Sequence, residues 1–276
     1  MPENSDSSPL LPDWASDDID PTVPSIARIY DYALGGSHNF SVDREVAESS
    51  RKKWPHSLRA AWTNRAFLRR AVTFCAEQGV TQFLDIGSGI PTAGNVHEIL
   101  ADLDIDAHVV YTDIDPVAVA MSRRILTDVP WATAIRADAR DLDALVSDPE
   151  VRAQLDFGKP VAVLLVALLH YIPDSADPRR MLADLRDRLA PGSMLVISHM
   201  CSDDWPPQEL ADTVEVSRRT PTPLILRSRA EIEPMFDGFE LAEPGLVRVP
   251  LWRPEPEDDT MVSYFDTVGA VGVKKG

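Results

Sequence analysis

Two cysteines, Cys75 and Cys201, are too few in 276 residues for a disulfide framework or a cysteine-based metal cluster. No metal site is expected. Long apolar runs are also missing. The longest, Val161 to Leu169, falls well short of the roughly 20 residues that span a bilayer, so no membrane partner is expected. Positive charge is scarce: 27 Lys and Arg face 44 Asp and Glu, a formal charge of −17. Such a chain is repelled by polyphosphates, and Arg51-Lys52-Lys53 and Arg69-Arg70 read as solvated helix faces. A nucleic acid is therefore not expected as a partner. The first 22 residues hold no Lys or Arg and lack the basic start of a secretory signal, which implies a cytoplasmic location.

What is present is ordinary globular material, 44% hydrophobic and 26% charged, enough for one decorated domain or two. Residues 1–22 show no hydrophobic period and read as a disordered or loosely docked leader. Residues 23–79 read as a helical cap, with a helix from Val42 to Lys53 capped at Ser41 or Asp43. A longer helix opens at Pro55 and stops at Gly79. On it, Leu58, Ala61, Arg65, Leu68, Val72 and Cys75 share one face. Arg65 either snorkels to the rim of that face or reaches inward to hold an anion.

From residue 80 to 276 the pattern alternates. Strands are expected at Thr81–Ile86, His108–Thr112, Ala132–Ala137, Val161–Leu168 and Met194–Ser198. Helices are expected at Pro91–Leu100, Pro116–Leu126, Asp141–Leu155 and Pro178–Leu189. A helix past Pro206, a helix start near Ser228 and β-rich pieces at Phe239–Ala242 and Tyr264–Lys274 complete the chain. This rhythm predicts an α/β fold with a doubly wound, mostly parallel sheet, whose ligands lie at the C-terminal strand ends.

The first of those ends carries Asp85-Ile86-Gly87-Ser88-Gly89-Ile90-Pro91-Thr92. Glycines at such a turn let a ligand lie against the backbone. A dinucleotide fold wants a third glycine where Thr92 stands, which weakens the case for a nicotinamide cofactor. The second strand ends in Asp113-Ile114-Asp115-Pro116. Asp113 is placed to accept ribose hydroxyls, while Asp115 reads as the cap of the next helix. Asp138, with Ala139, follows the third strand and reads either as an adenine ligand or as a helix cap.

Asp85-x-Gly87-x-Gly89 followed by Asp113 and Asp138 at successive strand ends resembles the class I S-adenosylmethionine-dependent methyltransferases. The segments ARIYDYALGGSHNFSVDRE (27–45), NRAFLRRAV (64–72), QFLDIGSGIPTAGNVHE (82–98) and VLLVALLHYIPD (163–174) further resemble a mainly actinobacterial methyltransferase family long catalogued as a domain of unknown function. The resemblance implies a seven-stranded Rossmann-like sheet with an antiparallel last strand. It makes residues 80–276 the S-adenosylmethionine-binding domain. It also implies that Arg65, Asp85, Gly87, Ser88, Gly89, Asp113, Ile114, Asp138 and Ala139 hold the cofactor. Arg65 stands where the related leucine carboxyl methyltransferases place an arginine for the cofactor's carboxylate.

Catalytic candidates are His170, Tyr30, His38 and His199, with Tyr171 and Tyr32 beside them; none is singled out as a base. The run Ala167-Leu168-Leu169-His170-Tyr171-Ile172-Pro173 lacks the Asn/Asp-Pro-Pro-Tyr pattern of methyltransferases that act on planar amino groups. With the −17 charge, this favours a small-molecule methyl acceptor, methylated at oxygen. Tyr30 to Phe40 is expected to form a lid hinged at Gly35-Gly36, or a helix-loop-helix that braces the sheet, with Gly35→Pro as the test. A catalytically silent S-adenosylmethionine-binding regulatory module and an NAD(P)-dependent oxidoreductase are the alternatives, and the oligomeric state is left open.

Overall fold

The computed structural model describes residues 19–55, 57–203, 205–262 and 267–276; most of the expected leader and Tyr264 of the last expected strand lie outside them. Three helices lead: α1 (Ile26–Ala33), α2 (Ser41–Lys53) and α3 (Ser57–Glu77). Then follow β1 (Gln82–Ile86), α4 (Val96–Asp102), β2 (His108–Asp113), α5 (Pro116–Ile125), β3 (Ala132–Arg136), α6 (Leu142–Ser147), α7 (Pro149–Gln154) and β4 (Ala162–Val166). The remainder is α8 (Pro178–Arg188), β5 (Met194–Met200), α9 (Pro207–Ser217), α10 (Arg229–Ile232), β6 (Phe239–Leu241), β7 (Val247–Arg248) and β8 (Thr267–Lys274).

The strands form one sheet in the order β3-β2-β1-β4-β5-β8-β6, with the two-residue β7 pairing with β8. Strands β1 to β5 run parallel, and β8 lies antiparallel between β5 and β6. This is the expected doubly wound sheet. Side chains alternate between two cores, as period-two strands buried on both faces require. Leu84, Ile86, Val163 and Leu165 join α6 to α8 on one face. Phe83, Val109, Leu164 and Val196 meet Phe67, Leu68 and Val72 of α3 on the other.

Most boundaries lie within two residues of the expectation, and four differences have a local reason. The helix after β1 starts at Val96, not Pro91, because Gly94 takes a positive φ and Asn95 and Glu98 close a capping box. The helix expected over Asp141–Leu155 splits at Asp148-Pro149, where Asp148 caps α7 and Pro149 opens it. Strand β4 ends at Val166 because Ala167 turns to φ 58. In α2 the cap position falls to Phe40, and Asp43, three residues on, accepts the Phe40 N–H at 2.8 Å.

Candidate functional site

The turn after β1 is built by positive φ at Gly87 and Gly89, both 69°. A β-carbon at Gly87 would lie 2.6 Å from Leu168, whereas one at Gly89 would meet nothing within 4 Å. The Gly89 backbone therefore borders open space at the sheet's C-terminal edge. Its N–H donates to Asp113 Oδ2 at 2.8 Å, and the Asp115 N–H donates to Asp113 Oδ1 at 2.8 Å. Burial pushes the Asp113 carboxyl up to about 6 despite these bonds. Ile114, next along, is 54% exposed, an apolar side chain facing water at the rim of the edge.

On the face toward α3, β1 presents Asp85. It is buried, makes no hydrogen bond to a described residue, and burial pushes it up to about 7. Arg65 of α3 draws that value down electrostatically without forming an ion pair with it. Arg65 itself is half-buried, its Nε is buried without a partner, and its guanidinium lies 5.6 Å from the centre of the Tyr30 ring. A half-buried cation and a buried acid, within electrostatic reach of each other and not hydrogen-bonded to a described residue, offer the two charges that a zwitterionic group needs.

The other expected residues fall into place with different partners. Asp115 caps α5, accepting from Val117 N–H at 2.8 Å, and also faces Arg28 at 3.5 Å and the Ser25 hydroxyl. Asp138 sits past β3, but Asp141 is the cap of α6, so Asp138 is free of that task. Its carboxylate pairs with Arg140, at 2.5 Å to Nη2, on a partly exposed surface. Ala139 is buried beside it and packs among the β3 and α6 apolar residues. Tyr30 donates to the Ala61 carbonyl, Tyr32 donates to Glu48, and the His38 N–H donates to Asp31. His199 is fully buried with Nδ1 on the Met200 carbonyl and Nε2 on Arg227; burial, helped by the Arg227 charge and opposed by the Met200 bond, pulls it down to about 4. Desolvation also pulls His170 well below the ordinary histidine value.

Several residues escape sequence reasoning. Asp31 is buried and takes hydrogen bonds from His38 N–H, Asn39 Nδ2 and, at 2.6 Å, the Thr92 hydroxyl. Thr92 thus joins the glycine turn to α1, which accounts for a hydroxyl where a dinucleotide fold has glycine. Arg28 is buried between Asp43 at 2.9 Å and Asp115, and Ile19 packs on Ile90, Val117, Ala118 and Met121. The N-terminal segment is therefore fastened to the loops after β1 and β2. The only sequence signal for this was the change to helical, aromatic character after Pro24. Among the described residues, no group of three or more His, Cys, Asp or Glu is arranged to hold a metal ion, and no helix is long and apolar enough to cross a membrane.

A doubly wound sheet with a glycine turn after β1, a carboxylate at the end of β2 and an antiparallel β8 defines a class I methyltransferase fold. Residues 12–275 match the family described as S-adenosyl methyltransferase, and the chain belongs to that family: it is an S-adenosylmethionine-dependent methyltransferase. It is similar to a protein of Thermobifida fusca YX, named for methyltransferase activity, whose crystal structure shares 38% identity at a TM-score of 0.87. That alignment covers 92% of this chain and 96% of the other. It is also similar to a DUF574 family protein from Streptomyces avermitilis MA-4680, at 34% identity and TM-score 0.87, covering 92% of this chain and 99% of that one. No curated protein sequence matches the chain. Membership of this family removes the oxidoreductase alternative.

Proposed function

We propose that this methyltransferase acts on a small molecule at oxygen, holding its cofactor along the ends of β1, β2 and β3. The observation that carries the binding assignment is the Arg65–Asp85 pair, a half-buried cation and a buried acid that make no ion pair, the acid two residues before the open glycine turn. In this reading Arg65 grips the cofactor's carboxylate and Asp85 faces its ammonium, each gaining the counter-charge it lacks. Gly87, Ser88 and Gly89 let the amino-acid portion lie along the backbone. Asp113 accepts the ribose hydroxyls on lone pairs its two backbone donors leave open. Ile114 covers one face of the adenine, and Asp138 with Ala139 meets its edge once Asp138 exchanges its exposed pairing with Arg140.

The bound sulfonium supplies an activated methyl group. The chain's own work is to align the acceptor and exclude water. The fastening of α1 through Asp31–Thr92 and Arg28–Asp115 supports a cap over residues 23–79 that closes this edge. A small acceptor is supported by the −17 charge, which opposes a polyanion, and oxygen by the loop after β4, which lacks the pattern used on planar amino groups.

Replacing Asp113 with Ala tests the cofactor site. Titration calorimetry is expected to show S-adenosylmethionine binding weakened by about 1–3 kcal/mol, through loss of a charged hydrogen-bonding partner. Unchanged affinity would refute the ribose assignment.

A further inference from the structure

The polar groups at the ends of β4 and β5 are arranged in two closed sets. In the first, the Ala167 N–H donates to Ser198 Oγ at 2.9 Å, and Ser198 Oγ donates to Asn64 Oδ1 at 2.6 Å. Asn64 Nδ2 donates to Tyr30 Oη at 3.1 Å, and Tyr30 donates to the Ala61 carbonyl at 3.1 Å. This run ties α3 and α1 to the positive-φ turn at Ala167 that ends β4. It also fixes the Tyr30 ring against Arg65.

The second set is centred on Arg227, itself buried. It donates to the carbonyls of Leu169 and Ile172, both at 2.9 Å, to Asp174 at 2.7 Å, and to His199 Nε2 at 3.0 Å. Since the guanidinium can only donate, His199 Nε2 accepts, and its hydrogen resides on Nδ1, bonded to the Met200 carbonyl. The Met200 N–H in turn donates to His170 Nδ1 at 3.3 Å, which leaves the His170 hydrogen on Nε2. Neither histidine keeps a lone pair for a substrate proton. The turn Leu169–Tyr171 is held from a further side by the Ile225 N–H on the His170 carbonyl.

Tyr171 stands on this clamped turn, its ring 4.5 Å from that of His170. Its hydroxyl makes no hydrogen bond to a described residue. With Arg65 and Asp85 given to the cofactor, this is a rigidly placed, unused donor at the end of β4. Burial and the neighbouring Tyr30 hold the phenol above its ordinary pKa, so it stays protonated and cannot serve as a base.

We propose that Tyr171 orients the methyl acceptor by donating its hydroxyl hydrogen to an acceptor oxygen that arrives already deprotonated, a carboxylate or an acidic phenol. This rests on the reading of the cofactor site given above. The balance is simple. An oxyanion lone pair forms the new C–O bond, the C–S bond breaks with its electron pair returning to sulfur, and sulfonium plus anion become a neutral thioether and a neutral methyl ester or ether. No proton has to be removed, which agrees with a site whose histidines are both committed. A donor to the attacking oxygen loses strength as that oxygen loses charge, so Tyr171 contributes to binding and selection rather than to the chemical step.

The probe is 4-nitrophenol, titrated into the protein saturated with S-adenosylhomocysteine and read at the phenolate absorbance. The wild type is expected to bind the phenolate form, lowering the apparent pKa of the probe. Benzoate is expected to displace it, and neutral benzyl alcohol is not. Tyr171→Phe is expected to bind the phenolate roughly 10- to 100-fold more weakly, with S-adenosylhomocysteine affinity unchanged by calorimetry. Binding of the probe as neutral phenol, equal displacement by benzyl alcohol, unaltered phenolate affinity in Tyr171→Phe, or no phenolate binding to a protein that takes up S-adenosylhomocysteine would overturn the proposal. A wild type that fails to bind S-adenosylhomocysteine would instead remove the cofactor reading on which it stands.

Discussion

A β-carbon at Gly36 would sit 1.9 Å from the Asp31 carboxylate, while one at the adjacent Gly35 would meet nothing within 4 Å. The two glycines of one dipeptide thus serve different ends. Gly35 supplies a φ of 83°, and Gly36 supplies room for the buried acid that fastens α1 to Thr92. Gly35→Ala is expected to cost about 1 kcal/mol for the left-handed backbone alone. Gly36→Ala is expected to cost about 3 kcal/mol, since it displaces a buried carboxylate from its donors. Urea unfolding of the two variants checks the order, and equal costs would show that the Asp31 bonds contribute little. A proline at Gly35 cannot adopt that φ, so Gly35→Pro probes folding of the turn and not hinge motion.

At the scale of elements, α3 is tied down along two stretches. One meets β5, where Asn64 Oδ1 accepts from the Ser198 hydroxyl at 2.6 Å. Another is strapped by residues 255–259, where Arg70 is buried between Asp258 at 2.5 Å and the carbonyls of Val249 and Trp252. Arg69 pairs with Glu255 at 2.5 Å but on a partly exposed surface. Removing Asp258 as Asp258→Ala is expected to destabilise the fold by about 3–5 kcal/mol, because a buried guanidinium loses its counter-charge. Glu255→Ala is expected to cost less than about 1 kcal/mol. Denaturant midpoints separate the two.

The strap also marks where sequence reading ends. The period-two and period-3.6 patterns of β1 to β5 and α3 were legible because each is set by burial along a short segment, and so was the Asp85–Gly89 turn with Asp113. Bonds across 60 to 200 residues, such as Thr92 to Asp31 or Arg70 to Asp258, have no local pattern. Arg65 stands out in the sequence because a lone cation interrupts an apolar helix face. Asp31 and Arg227 do not, because what sets them apart is partners far along the chain, Thr92 for Asp31 and Leu169, Ile172 and Asp174 for Arg227. Ala167 was read as strand because its apolar run does not reveal a positive φ.

For the whole molecule, the raised carboxyls couple stability to pH. Asp85 near 7 and Asp113 near 6 lie above the roughly 3.9 of an unfolded aspartate. Between about pH 4 and 7 the folded chain therefore holds protons that the unfolded chain releases. The stability these two groups contribute is fully present below about pH 4 and is lost as pH rises through 6 and 7. A ligand that supplies an ammonium to Asp85 and hydroxyls to Asp113 offsets that loss. The rise in Tm produced by saturating S-adenosylhomocysteine is expected to be larger at pH 8 than at pH 5.5, where Asp85 must first give up a proton. A shift independent of pH would show that neither carboxyl meets the ligand as an anion.

Arg65, a half-buried cation without an ion pair and within electrostatic reach of Asp85, is the proposed cofactor ligand whose removal is most direct to measure. Titration calorimetry of S-adenosylhomocysteine into the wild type and Arg65→Ala, at one pH and salt concentration, is expected to show a loss of about 2 kcal/mol, some 10- to 100-fold in Kd, with the fold's thermal transition retained. An affinity in Arg65→Ala equal to that of the wild type would contradict that role.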